Sequence, residues 1–291
     1  MPRNISFDGE IITSRQNRRI VELMKLDDRR TREHTRRFRF DGVKLLCEAL
    51  RRGVELDSLF VRVGTAEKLE TRMRELYGCS LRDVSCPVFG VEDSLFEKIS
   101  QENAPEGVIT VAKYIDKSHN LIIIYKEDEV NVRRDAPVIL MESVRDPLNV
   151  GAIIRSAAAL GVGHLIMSAD CADLYHPRTL RAAMGPLFSM PITRVEDLPG
   201  TIRALRAEGR RVYAAALDDT AIRLGSPELD AEKGSIPACA VIGNEGHGLS
   251  EAVIQACDRS VYIPMEADTE SLNAGVAAAL IMWELGRPSR N

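Results

Sequence analysis

The stretch "APVILMESVRDPLNVGAIIRSAAALG", residues 136–161, decides the fold. It opens on an apolar run, Val138 to Met141, of the kind a strand needs when both faces of a parallel sheet are covered. A turn with Asp146 and Pro147 follows, and then a helix-like segment whose apolar residues continue to Leu160. Strand, short loop and helix are the unit of an α/β fold.

The same alternation continues downstream. "HLIMSA", "FSMPITRV", "RRVYAAAL", "ACAVIGNEG" and "SVYIPM" read as strands, and "HPRTLRAAMG", "PGTIRALRAEG", "LSEAVIQACD" and "NAGVAAALIMWEL" as the helices around them. Residues 136–291 are therefore expected to form one α/β domain on a parallel sheet. Upstream, residues 1–115 read as a smaller α/β domain. There "SRQNRRIVELMKL" has Ser14 as a cap with Ile20, Leu23, Met24 and Leu26 on one face. "DGVKLLCEALRRG" follows with Val43, Leu46, Cys47 and Leu50 in helical spacing, closed by Gly53. "LDSLFVRV", "CPVFGV" and "GVITVAKY" read as strands, "AEKLETRMRELYG" and "DSLFEKIS" as helices. Residues 116–135, with "LIIIY" and the charge-dense "YKEDEVNVRRD", are the expected linker.

With 291 residues, 45% of them hydrophobic, the chain can bury two cores. The net charge of -4 hides an uneven distribution: Arg15 to Arg39 holds ten Lys or Arg against four acids, an excess of six that suits a polyanion or a solvated helical face. Arg15, Arg18, Arg19, Arg36 and Arg37 are the candidate contacts to such a polyanion. The six cysteines form no CxxC pair and read as reduced core thiols, which suits a cytoplasmic protein. The N-terminus lacks the apolar core of a signal peptide, and no apolar run approaches the length of a membrane span.

Ligands of open parallel sheets gather at the C-terminal ends of the strands, and three such loops are unusual. "RDPLNVGAIIRS" offers Asn149, a fair N-cap by itself, and Arg155 inside an apolar helix, where an arginine calls for an anionic partner such as phosphate. "IGNEGHGLSE" sets Gly243, Gly246 and Gly248 around Glu245, as a loop that turns sharply or approaches a ligand closely would. "IPMEADTESLNAG" brings Ser271 and Asn273 to the start of a helix of small residues, where either serves as a cap. The five histidines show no metal-ligand spacing, and neither GxGxxG, a Walker loop nor GxSxG occurs.

Taken in order, "DPLNVGAIIRSAAALG", "VIGNEGHGLSE" and "IPMEADTESLNAGVAAALIMWE" resemble the three signature motifs of the SpoU, or TrmH-like, branch of the SPOUT RNA methyltransferases. "LRAAMGPLFSMPI" is similar to the family's Arg-x-x-x-Gly-x-x-Phe stretch, and "ITSRQNRRIVELMKL", "FRFDGVKLLCEALRRG" and "FEKISQENAPEGVITVAKY" look like its substrate-binding domain. Asp41 stands where relatives usually show Glu, a conservative departure.

The resemblance implies a deep trefoil knot, S-adenosylmethionine as methyl donor, a homodimer, no metal, and transfer to a ribose 2'-hydroxyl of RNA, ribosomal of the 23S type ahead of transfer RNA. It implies Asn149, Arg155, Glu245, Ser271 and Asn273 as the catalytic set, and Gly243, Ile263 and Leu272 as donor-binding positions. Two rivals belong to other classes. A non-catalytic RNA-binding or ribosome-assembly module would not need all five catalytic positions, and a nucleotide-dependent α/β enzyme would need the missing fingerprint.

Overall fold

The computed structural model of the protein describes residues 6–115, 135–232, 236–266 and 271–286. The chain divides into two compact units, Met1–Ile115 with Tyr175–Leu180, and Asp116–Leu174 with Arg181–Asn291. Most of the expected linker, "LIIIY" included, lies outside the described residues.

The first unit contains α1 (Arg18–Lys25), α2 (Arg29–Thr35), β1 (Arg37–Asp41), α3 (Val43–Arg51), β2 (Leu56–Arg62), α4 (Ala66–Tyr77), β3 (Val88–Val91), α5 (Asp93–Ile99) and β4 (Val108–Lys113). Its four strands take the order β1-β4-β2-β3, with β4 antiparallel to both neighbours and β2 parallel to β3. Ile20 and Leu23 of α1, with Leu26 at its C-terminal cap, pack with Phe60, Phe89, Phe96 and Val111 into one core, as the helical spacing requires. The cap of α1 is Asn17 rather than Ser14: Asn17 Oδ1 accepts from the amide of Arg19 at 2.9 Å.

Two features of this unit depart from the sequence reading. Arg32 and Arg39, counted in the basic stretch, are buried and used internally. Arg32 donates to the carbonyls of Leu26 and Asp27, and Arg39 donates to the Ile99 carbonyl at 2.6 Å beside Asp27 and Asp41. The cysteines are not all reduced thiols either, because α3 packs against α4 and Cys47 and Cys79 are joined as a disulfide. Cys86 is half-buried, and Cys171, Cys239 and Cys257 are buried and free.

The second unit holds β5 (Val138–Met141), α6 (Pro147–Ala159), β6 (His164–Ser168), β7 (Ile192–Val195), α8 (Leu198–Ala207), β8 (Val212–Ala215), β9 (Ile222–Arg223), α9 (Pro227–Glu232), β10 (Cys239–Ile242), α10 (Glu251–Ala256), β11 (Arg259–Tyr262) and α11 (Ala274–Leu285). The division between units falls within α7 (Pro177–Ala183). The seven strands run in the order β7-β6-β5-β10-β8-β11-β9, and every pairing is parallel. Val138 to Met141 are fully buried because both faces are covered. Val138, Leu140 and Val241 pack with Leu198 and Ile202 of α8 and Val253 of α10, while α6 and α11 pack against each other, with α11 against β10.

Candidate active site

The central strands β5, β10, β8 and β11 are neighbours in register, Met141 beside Ile242, Val241 beside Ala214 and Ala215 beside Val261. Their C-terminal ends therefore release four loops at one edge, and those after β10, β8 and β11, with α11, line a cleft of about 450 Å³. A parallel sheet of this topology places its ligand site there.

The loop after β5 is tied at both ends. Glu142 accepts from the amide of Ser250 at 2.8 Å and its hydroxyl at 2.6 Å, joining the first loop to the second. Ser143 takes φ 53°, a conformation that only local bonds make tolerable in a residue other than glycine. Its amide donates to Ser168 Oγ at 2.9 Å and its hydroxyl to Asp170 Oδ2 at 2.6 Å. Partial burial opposes ionisation of Asp170, but the hydroxyls of Ser143 and Ser168 with Arg145 hold its carboxyl below the usual range. Asp146, not Asn149, caps α6, accepting from the Leu148 amide at 2.9 Å. Asn149 is thereby a helix residue whose side chain turns inward, 5% exposed.

The loop after β10 closes on itself. Asn244 and Gly248 exchange both backbone hydrogen bonds, and Asn244 Oδ1 accepts from the amides of Gly246 and His247. Its Nδ2 donates to the Ser143 carbonyl at 2.8 Å. A side chain at Gly243 would put its Cβ 2.6 Å from the carbonyl carbon of Gly248, so the loop itself demands that glycine. Asn244 was missed by the sequence reading; its position two residues ahead of a Gly-x-Gly turn was the available signal.

The loop after β11 delivers Ile263, Ser271 and Leu272 to the cleft; residues 267–270 within it lie outside the described residues. Asn273 caps α11, its Oδ1 accepting from the amides of Gly275 at 3.0 Å and Val276 at 3.3 Å. Its Nδ2 donates to Asn149 Oδ1 at 2.7 Å, and Asn149 Nδ2 in turn donates to Glu245 Oε1. Asn273 is both a cap and a link between loops. The link depends on Gly275, whose added Cβ would lie 3.0 Å from that of Ala152 on α6.

The expected site residues thus divide. Asn149, Glu245 and Asn273 form one hydrogen-bonded chain, and Ser271 and Glu245 line the cleft with the three expected donor-binding residues Gly243, Ile263 and Leu272. Glu245 is the only acid in that lining among the described residues. Arg155 stands apart: it is exposed on α6 and has no partner among the described residues. In the first unit, Arg15 is exposed and Arg18 pairs with Glu22 at 2.8 Å. Arg19 lies over the Phe89 ring and Arg36 over the Tyr114 ring, and Arg37 pairs with Asp57 at 3.2 Å. No group of metal-ligating side chains occurs among the described residues, and none of their helices is long and apolar enough to cross a membrane.

Comparison with known proteins places these features in a family. The sequence model of the SpoU rRNA methylase family matches residues 136–283, and that of the MRM3-like substrate binding domain matches residues 17–110. The 23S rRNA (uridine(2479)-2'-O)-methyltransferase of Streptomyces viridochromogenes is 32% identical over 281 residues, 95% of this chain and 91% of the relative. The 23S rRNA (guanosine(2553)-2'-O)-methyltransferase RlmP of Bacillus subtilis (strain 168) is 28% identical over 274 residues, 94% of this chain and 98% of the relative. Among solved structures, the SpoU methyltransferase AviRb from Streptomyces viridochromogenes in complex with the cofactor AdoMet aligns with a TM-score of 0.75 at 30% identity, covering 93% of this chain and 97% of that one.

Proposed function

The chain belongs to the SpoU rRNA methylase family, and on that premise we propose that it transfers a methyl group from S-adenosylmethionine to a ribose 2'-hydroxyl of 23S-type ribosomal RNA. The observation that carries the proposal is the convergence of three loops on one cleft, with the chain Asn273–Asn149–Glu245 at its edge. Both relatives described above are named for methylation of 23S rRNA at a 2'-oxygen.

The cleft suits the donor by its own chemistry. Its volume of about 450 Å³ falls within the range of small-molecule sites, and apolar residues such as Leu249, Ile254 and Ile281 line it beside the loop backbones. When bound, S-adenosylmethionine supplies an electrophilic methyl group on a sulfonium. Gly243, Ile263 and Leu272 would hold it.

The remaining work falls to the chain's side chains. A ribose hydroxyl is a weak nucleophile near neutral pH, so it must be aligned and must lose its proton as the new C–O bond forms. Glu245 is the acceptor of that proton: Asn149 holds its Oε1, and its Oε2 has no partner among the described residues. An arginine, with a pKa above about 12, is unsuited to the role. Arg155 instead fixes an RNA phosphate and thereby the hydroxyl, as its lack of a protein partner allows, and Ser271 orients the ribose.

A homodimer and the trefoil knot belong to the same proposal. Leu148, Val276, Leu280 and Trp283 are 48%, 50%, 41% and 59% exposed, an apolar stripe across α6 and α11 that a second copy would cover. Arg155 lies seven residues after Leu148, on the same helix face, so that contact would also shape its surroundings.

Incubation with tritiated S-adenosylmethionine and total RNA, followed by mapping of 2'-O-methyl sites in strains with and without the gene, tests the assignment. Label in one 23S nucleotide is the expected result. Label in transfer RNA would move the substrate, and RNA binding without label would make the protein a non-catalytic module.

A further inference from the structure

A second cavity, of about 220 Å³, opens in the first unit between α1 and the sheet. Its interior is apolar, with Leu23, Phe60 and Val111 buried around it, and its rim is polar, with Arg19, Arg37 and Asp57. The strand beneath is irregular. Leu56 pairs with Ala112 and Ser58 with Val111, which leaves Asp57 as an extra residue in β2. In a regular strand Asp57 would point away from the face that carries Ser58 and Phe60; with the bulge, all three line the same cavity.

The polar groups are presented in a particular order. Asp57 Oδ2 accepts from Arg37 Nη1 at 3.2 Å and from Ser58 Oγ at 3.5 Å, while Asp57 Oδ1 has no partner among the described residues. Arg19 stacks its guanidinium on the Phe89 ring, 4.2 Å from the centroid, and leaves its other face open. Glu22, the remaining acid at the rim, is engaged with Arg18.

We infer that this cavity receives the base of an unpaired guanosine in the RNA substrate, a nucleotide other than the one that is methylated. The inference rests on the RNA reading proposed above. A carboxylate only accepts hydrogen bonds, and guanine alone presents two adjacent donors, N1–H and the N2 amine, next to an acceptor, O6. Asp57 takes the two donors and the neighbouring Arg37 donates to O6. Adenine and cytosine present one donor group on that edge, and uracil sets an oxygen on each side of its single N–H. The base stacks on the open face of Arg19, one of the modes by which proteins hold splayed-out RNA bases.

Fluorescence anisotropy of labelled uridine heptamers carrying one central guanosine, adenosine or inosine, titrated with the full chain, tests the site. The guanosine heptamer is expected to bind roughly tenfold tighter than the adenosine one, with inosine between them because it lacks the N2 amine. Asp57→Asn, with thermal unfolding of the full chain as the folding control, is expected to remove that preference while the all-uridine heptamer still binds. Equal affinity of the wild-type chain for guanosine and adenosine heptamers overturns the inference, as does an undiminished preference in Asp57→Asn. The inosine comparison uses the unaltered protein, so it decides even if the variant fails to fold. Free GMP that binds as tightly as the guanosine heptamer, with no preference among heptamers, would overturn the RNA subsite in favour of a nucleotide site. Methyl transfer to RNA without guanine preference sinks this inference alone; absence of both RNA binding and methyl transfer sinks the RNA reading with it.

Discussion

Asn273 Nδ2 donates to Asn149 Oδ1 at 2.7 Å, although 124 residues of chain separate them. The same Asn273 caps α11 through its other side-chain atom, and the same Asn149 holds Glu245. One amide thus joins the stability of a helix to the orientation of a carboxylate, and the two can be separated experimentally.

Asn273→Ser keeps a good capping oxygen but is too short to reach Asn149. The expected outcome is a melting temperature close to wild type with methyl transfer reduced at least tenfold and donor affinity preserved. Asn273→Ala should add a loss of about 1 kcal/mol in stability, the usual cost of a missing cap. Thermal unfolding and tritium transfer on both variants check this; wild-type rates in Asn273→Ser would reduce Asn273 to a cap.

Arg155→Ala removes an exposed side chain with no described partner, so stability should change by less than about 0.5 kcal/mol. Methyl transfer should fall by roughly two to three orders of magnitude, as when a group that fixes transition-state geometry or charge is lost. Donor binding by calorimetry should stay near wild type. Arg155→Lys should not restore activity, because an ammonium cannot reproduce the planar fork that holds a phosphate. Full methylation by Arg155→Ala would remove the residue from the mechanism.

Much of the sheet of the second unit was legible because burial on both faces leaves a direct trace, as in Val138 to Met141. Strand β1, "RFRFD", was not recognised as a strand. Its Phe38 and Phe40 alternate with arginines, and only the tertiary structure shows that Arg39 is neutralised inside by Asp27 and Asp41. Helix α2 lacks an apolar face altogether: of "RRTREHT" only Arg32 is buried. In the site, Asn149 read as a plausible cap because sequence cannot tell Ncap from the third helical position; Asp146 takes the cap and frees Asn149 to face Glu245. The bulge that brings Asp57 into the second cavity leaves no mark in "LDSLFVR", since it is defined by the pairing with β4.

The Cys47–Cys79 bridge gives a chemical test. Titration of thiols in denaturant without reductant should find four per chain, since the other cysteines are free. Reduction should lower stability by about 3–4 kcal/mol, the loop-entropy value for a bridge across some thirty residues. Six thiols before reduction would mean that the bridge does not form, and the reading of reduced core cysteines would then stand.

His164 supplies a pH dependence. Its Nε2 lies 2.7 Å from Thr193 Oγ1, and burial, with the charge of Arg210 as a second cause, pushes its pKa from 6.5 down to about 4. Between those values the unfolded chain binds a proton that the folded chain does not. Stability is therefore insensitive to this group above pH 6.5, falls as the pH drops through the window, and reaches its full loss below about 4. The difference corresponds to roughly 3 kcal/mol. Urea unfolding at a series of pH values from 7 to 4 should show that decline, and His164→Gln, which cannot titrate, should flatten it. An equal decline in the variant would remove His164 as its cause; carboxylates such as Asp170, whose depressed pKa makes their stabilisation fade only as the pH falls below the usual carboxylate range, lose theirs at lower pH than this window.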